Sequence, residues 1–181
     1  VEVDMDGSVL VTKLKPSQTS MNLGKAVAFA LMAMAKKKPF PNGPGGELGA
    51  IITSDFHIMD GHHRWIASAM VDPTVKIEGP TVDFPAKELI AALNMITVHL
   101  TDRKEGKSGS GNFDSFNADG FTEQLQDFAK NGVWPDKETG EIALTGEEVI
   151  ELCKEYSGEN DEAKAIAATA KKMGENVELV A

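Results

Sequence analysis

Cysteine is almost missing from this chain: Cys153 is the one thiol in 181 residues. A disulfide framework and a cysteine-rich zinc site are both excluded by that number. Long hydrophobic runs are missing too. The longest, Ala26 to Ala35, has ten residues, about half of the roughly 20 that cross a bilayer. No charged-then-apolar leader opens the sequence, so the expectation is a soluble, cytoplasmic protein with no membrane partner. Basic residues are scarce, 18 Lys+Arg against 28 Asp+Glu, for a net charge of −10 and a pI near 4.8. Such a chain lacks the basic footprint that non-specific nucleic-acid binding requires.

The deficit is uneven. Residues 1–99 hold nine Lys+Arg against ten Asp+Glu, whereas residues 100–181 hold nine against eighteen. Lys36-Lys37-Lys38 is the one dense basic stretch. It follows an apolar helical segment, where lysines complement the C-terminal helix dipole; a ligand contact is the alternative.

What is present is ordinary globular material: 41% hydrophobic, 25% charged, mean hydropathy −0.20. The length suits one domain, or one domain with a small helical annex, and suffices for a core without disulfide staples. Val9 to Leu14 alternates like a strand and closes at Lys15-Pro16. Asn22 is placed to cap a helix running to about Lys37. The stretch KPFPNGPGGELG, with three prolines and four glycines, is loop. Ala50–Thr53 and Phe56–Met59 read as a hairpin around Ser54-Asp55, and a helix follows from Gly61 or His62 to about Met70. Val75–Ile77 reads as a strand, Pro85 opens a helix through Leu93, and Met95–Leu100 reads as a last β run, with His57 and His99 on separate strands.

The polar KEGKSGSGN stretch, residues 104–112, is the clearest linker. Three amphipathic helices are expected beyond it. Their apolar faces are Phe121, Leu125 and Phe128; Val149, Ile150, Cys153 and Tyr156; and Ala163, Ile166, Ala167, Ala170 and Met173. Thr145 and Glu148 have capping-box spacing. The expected organisation is therefore an α+β unit over residues 1–103, a linker over 104–112 and an acidic helical annex over 113–181. Gly106-Lys107-Ser108 resembles the end of a P-loop, but Thr101 stands where its first glycine belongs. Trp65 reads as a packing residue, with a base-stacking platform as the alternative, Trp134 as a packing anchor for the annex, and Cys153 as inert core.

The chemistry concentrates in Asp60-Gly61-His62-His63-Arg64. A strand ends at Asp60, Gly61 permits a sharp turn, and a helix starts at once. The first amides of a helix have no intrahelical acceptor and carry the positive end of the dipole. Gly61 lets an anion come close to the backbone, while two imidazoles and a guanidinium flank those amides. That is the equipment for holding phosphate. The structural alternative is that Asp60 caps the helix and the histidines fill a polar corner. Adjacent helical histidines point about 100° apart, so joint ligation of one metal by His62 and His63 is unfavourable.

Asp60-Gly61-His62-His63-Arg64, followed by Trp65 and a small-residue helix, resembles the signature of the ParB/sulfiredoxin superfamily, in the version of free serine kinases and phage or bacterial ParB-like proteins. The order strand, Lys15-Pro16-Ser17-Gln18, helix, hairpin, signature is similar as well, and the resemblance spans about residues 8–100. It implies a ParB/sulfiredoxin-like α+β fold with a mixed sheet. It implies ATP, ADP or CTP phosphates against Gly61, His62, His63 and Arg64, with Asp60 holding Mg²⁺ or polarising an acceptor hydroxyl. His62 stands where sulfiredoxins have their reactive cysteine, which excludes that chemistry, and Gln18 stands where the serine kinases place a catalytic Glu. Glu47 and Asp55 are the nearest alternative acids.

The expected function is a nucleotide-binding ParB-like protein, in its finer form a Mg²⁺-dependent phosphotransferase acting on a small hydroxyl compound or a modified nucleotide. Asp60, His62 and His63 are its candidate proton-handling groups. The alternative is a DNA-associated nuclease or partition-type module, which the acidic C-terminal half disfavours. No residue pattern sets an oligomeric state.

Overall fold

The computed structural model describes residues 2–37, 49–101, 113–134 and 142–180. Most of the loop expected at 38–49, the linker at 104–112 with the P-loop-like Gly106-Lys107-Ser108, and the acid Glu47 lie outside the described residues. The chain is α+β with a mixed sheet. Strands β1 (Val3–Asp4), β3 (Lys15–Pro16), β4 (Ile51–Thr53), β5 (His57–Asp60) and β7 (Thr81–Val82) form one sheet in the order β1-β7-β4-β5-β3. Pairs β1/β7 and β4/β5 are antiparallel, while β4/β7 and β3/β5 are parallel. A separate antiparallel ribbon joins β2 (Ser8–Leu10) to β6 (Lys76–Glu78).

Six α-helices are described: α1 (Leu23–Met34), α2 (His62–Val71), α3 (Ala86–Thr101), α4 (Ala118–Asn131), α5 (Gly146–Ser157) and α6 (Glu162–Val177). The Asn22 side chain caps α1, accepting from the Lys25 amide at 2.8 Å. Alanines and large apolar residues alternate around α1, from Ala26 to Ala33, and bury it on nearly every side. The expected hairpin is present as β4/β5, and α2 follows it directly.

Three expectations need correction. The run Val9–Leu14 is a strand only to Leu10, then a 3-10 turn over Val11–Lys13. Val11 and Leu14 are both buried, and residues three apart share a face in a helical turn but not in a strand. Met95–Leu100 belongs to α3, not to a strand, so His99 is helical. Extending a helix already nucleated at Pro85, whose carbonyl accepts from Leu89 N, costs only tenths of a kcal/mol per β-branched residue. On α6 the buried face is turned from the expected one: Ala163 and Ala167 are exposed, while Ala165 and Thr169 are buried. Thr169 is tolerated there because its hydroxyl donates to the Cys153 carbonyl at 3.1 Å.

Helices α4, α5 and α6 pack together, α6 packs on α2, and α4 packs on α1. One apolar cluster contains Val11, Leu31 and Trp65 together with Phe121, Leu125 and Met173. The Tyr156 hydroxyl reaches the Met70 and Val71 carbonyls at 3.1 and 2.9 Å, and Asn176 Nδ2 donates to Met70 O at 2.9 Å. The C-terminal end of α2 is thereby tied to α5 and α6, and its N-terminal end is left at the sheet.

Candidate functional site

Strand β5 ends at Asp60 and α2 begins at His62, so a single residue makes the turn. Gly61 does so in the left-handed region, φ +92°. A Cβ at Gly61 would lie 2.6 Å from the Gly49 carbonyl oxygen and 3.0 Å from Ala50 Cα. Glycine is therefore required twice, for its dihedral and for the close approach of the 49–50 backbone. Gly61 is also the N-cap of α2 and offers no side chain to its first amides. Asp60 is thus not the helix cap; its carboxylate is 75% exposed and stands beside the turn.

The two histidines face the chain. His62 is 3% exposed, and its Nε2 accepts the Ser17 backbone N–H at 3.1 Å. Ser17 Oγ, 3.2 Å from the same nitrogen, donates to the Ile58 carbonyl. An accepting Nε2 assigns the proton to Nδ1. Burial drives the His62 pKa down to about 4; the Asp60 charge opposes this and the His63 charge reinforces it. His62 is accordingly neutral at pH 7. His63 Nε2 accepts the Asn22 backbone N–H at 3.2 Å, and burial, then the Lys25 charge, lowers its pKa as well. The 17–22 segment thus lies across the start of α2, pinned at both ends by consecutive imidazoles. Because Asn22 also caps α1, the N-terminal ends of α1 and α2 sit side by side.

Arg64 is four-fifths buried on the far side of the turn. Its Nε donates to the Gly49 carbonyl at 2.7 Å, and its Nη2 lies 3.8 Å from Asp60 Oδ2. At that distance, with Asp60 exposed, the ion pair is weak, which leaves the guanidinium edge and the carboxylate free for other partners. Two helix N-termini, Arg64 and Lys25 make the site positive, with Asp60 as its acid.

Of the expected residues, then, Asp60, Gly61 and Arg64 meet at the mouth of the turn, while His62 and His63 point into the 17–22 segment. Gln18 is exposed and directly follows Ser17 in that segment. Asp55 is not at the site. It lies beyond the opposite end of β5, accepting from Thr53 Oγ1 at 2.6 Å and from Ala86 N at 3.0 Å, with His57 Nδ1 3.2 Å away. The Thr53 hydrogen bond, then the Ala86 amide and His57, hold its carboxyl down at about 2. Sequence reasoning missed Ser17 as a partner of the motif, and saw in Asn22 only a cap. The polar stretch after Pro16 was the available signal.

Among the described residues no three His, Cys, Asp or Glu side chains gather around a common point. A self-sufficient metal site is therefore not formed by them. Mg²⁺ commonly takes one or two carboxylates and completes its shell with water and ligand phosphates. Asp60 alone fits that pattern, in company with a bound polyphosphate. None of the described helices is long and apolar enough to cross a membrane.

No protein-family model matches the chain, and no curated protein matches it. Among solved structures it is similar to a Pnob8-like ParB-N domain, with 16% identity and a TM-score of 0.37. That likeness covers 90% of this chain and 65% of the other, so the chain spans less than two thirds of the length of the structure it matches.

Proposed function

We propose that this chain is a ParB-like nucleotide-binding protein whose phosphate site is the Asp60–Arg64 turn. The observation that carries the reading is the start of α2, where the left-handed Gly61 offers no capping side chain to the first amides and a half-engaged guanidinium stands one turn away. Phosphate oxygens accept from the amides following Gly61 and from the outer nitrogens of Arg64. Asp60, together with the ligand's own oxygens, would hold Mg²⁺, which would supply neutralisation of the phosphate charge. His62 and His63 act in this reading as positioning residues, since each has committed Nε2 to the backbone.

The finer reading is phosphoryl transfer to a small hydroxyl compound or a modified nucleotide, with Asp60 taking the acceptor's proton. Its support is the exposed carboxylate 3.8 Å from Arg64. A DNA-associated nuclease or partition module is the second reading. The ParB-like motif favours it, whereas the acidic character of residues 100–181 and the lone Asp60 at the turn weigh against it.

Calorimetric titration with ATP, ADP and CTP, with and without Mg²⁺, tests the proposal. Arg64→Ala is expected to weaken binding more than about tenfold, since a charge-assisted contact contributes about 1.5–3 kcal/mol. Because Arg64 also holds Gly49, Arg64→Lys and a melting curve accompany it. Unchanged affinity in a folded Arg64→Ala protein would remove Arg64 from the site. For transfer, Asp60→Asn is expected to lower turnover far more than affinity; equal turnover would leave binding as the function.

A further inference from the structure

Trp134 is placed in a manner that packing alone does not explain. Helix α4 ends at Asn131, Gly132 reverses the chain at φ +77°, and Val133 is buried, its N–H donating to the Leu144 carbonyl at 2.8 Å and its carbonyl accepting from Ala143 N at 2.9 Å. The residue after this fixed point is Trp134, held at φ +50°, a region that bulky L residues rarely occupy. The strained backbone leaves part of the indole exposed. Trp134 is 38% exposed, whereas Trp65 is 1% exposed with its Nε1 bonded to the Val11 carbonyl.

Its neighbours lead to the phosphate turn. The Trp134 ring meets Phe29 edge-on, centroids 5.3 Å apart at 86°. Phe29 in turn meets the His63 ring edge-on at 6.4 Å, and Lys25 Nζ lies 5.6 Å from the Phe29 centroid. A line of ring contacts therefore runs from His63, the residue before Arg64, through Phe29 to the partly exposed indole. Phosphate at one end and a flat π surface at the other is the chemistry of a nucleotide, whose base and phosphates are separated by a sugar.

We infer that the exposed indole of Trp134 is the stacking subsite for the nucleobase, an inference that rests on the phosphate site proposed above. Lys25 stands beside this line of rings, its Nζ 5.6 Å from the Phe29 centroid and its charge lowering the His63 pKa after burial does. Stacking on an aromatic face is tolerant of base identity, so the subsite favours nucleotides over bare polyphosphate without choosing strongly among bases.

The test compares ATP with inorganic tripolyphosphate on the full chain and on Trp134→Ala and Trp134→Phe, with melting curves for each. ATP is expected to bind the unaltered protein about tenfold or more tighter than tripolyphosphate. Trp134→Ala should erase most of that advantage and leave tripolyphosphate affinity unchanged; Trp134→Phe should keep part of it. ATP should also quench the exposed component of the tryptophan emission, and Trp134→Phe should abolish the quench, because Trp65 is enclosed. Equal affinity for ATP and tripolyphosphate in the unaltered protein, or equal weakening of both by Trp134→Ala, would overturn the stacking subsite while the phosphate site stands. Failure of both ligands to bind would overturn the two together.

Discussion

His62 and His63 each give Nε2 to a backbone N–H, and this has a consequence for acid stability. The unfolded chain protonates His62 near pH 6.5, whereas the folded protein resists protonation until about pH 4. Below pH 6.5 the unfolded state therefore binds more protons, and stability falls as pH drops from about 6.5 to about 4. The full shift corresponds to about 3 kcal/mol, and His63 acts in the same direction. Urea midpoints in magnesium-free buffer at pH 7.5, 5.5 and 4.5 should decline in that order, and His62→Gln should flatten the decline. Equal midpoints would mean that the imidazole is not held neutral. Gly61 offers a second prediction at this scale. Alanine there must adopt φ +92° and meet the Gly49 oxygen at 2.6 Å, a loss of at least about 2 kcal/mol. A fall in Tm of several degrees is expected, and an unchanged Tm would show that the 49–50 backbone gives way freely. The motif residues were legible in the sequence as a group, but the direction of each imidazole was not. Neighbouring helical side chains diverge by about 100°, and only the path of residues 17–22 brings partners to both.

Elements in this protein start and stop where short-range chemistry tells them to. Asn22, Asn117, Thr145 and Asp161 each cap a helix through the side chain, and such caps are readable because donor and acceptor are within four residues. The Thr145–Glu148 capping box is complete, with bonds of 2.8 and 3.2 Å. Thr145→Ala is expected to cost about 1 kcal/mol, seen as a lower denaturation midpoint. Glu148 also pairs with Lys37 at 2.9 Å, so Glu148→Ala should cost somewhat more than the box alone. The start of α3 is capped differently, by Asp55 from the hairpin tip through the Ala86 amide. Asp55→Ala should therefore speed amide exchange in the first turn of α3 and spare α2; equal protection in both would dismiss that anchor. No window of sequence around Pro85 contains this contact, because its partners are 31 residues apart. The strand expected at Met95–Leu100 failed for a related reason: local β preference is worth tenths of a kcal/mol and loses to a helix already under way.

At the scale of the whole molecule the core does not divide where the composition does. Val11, Trp65 and Ile66 from the first hundred residues and Phe121, Cys153 and Met173 from the acidic helices belong to one apolar cluster. Cys153 is enclosed in it, and burial pushes its thiol up to about 11, consistent with an unreactive core residue. Deleting residues 113–181 would uncover the α1 and α2 faces against which α4 and α6 pack. The truncated chain is expected to be insoluble or to elute as an aggregate in size-exclusion chromatography. A soluble, cooperatively melting fragment of residues 1–103 would instead establish an independent N-terminal domain.

The sequence by itself determined the α+β class, the caps, the hairpin, the strand–Gly61–helix turn and the absence of a disulfide framework. All of these rest on neighbours in the chain or on composition. Tertiary structure alone decided that His62 and His63 serve the 17–22 segment, that Asp55 stands away from the motif, that α6 buries Thr169 rather than Ala167, and that Trp134 meets Phe29 edge-on. Each of these depends on packing between segments at least 16 residues apart. The free energy that fixes them comes from burial and from hydrogen bonds whose two partners are never in the same stretch of sequence.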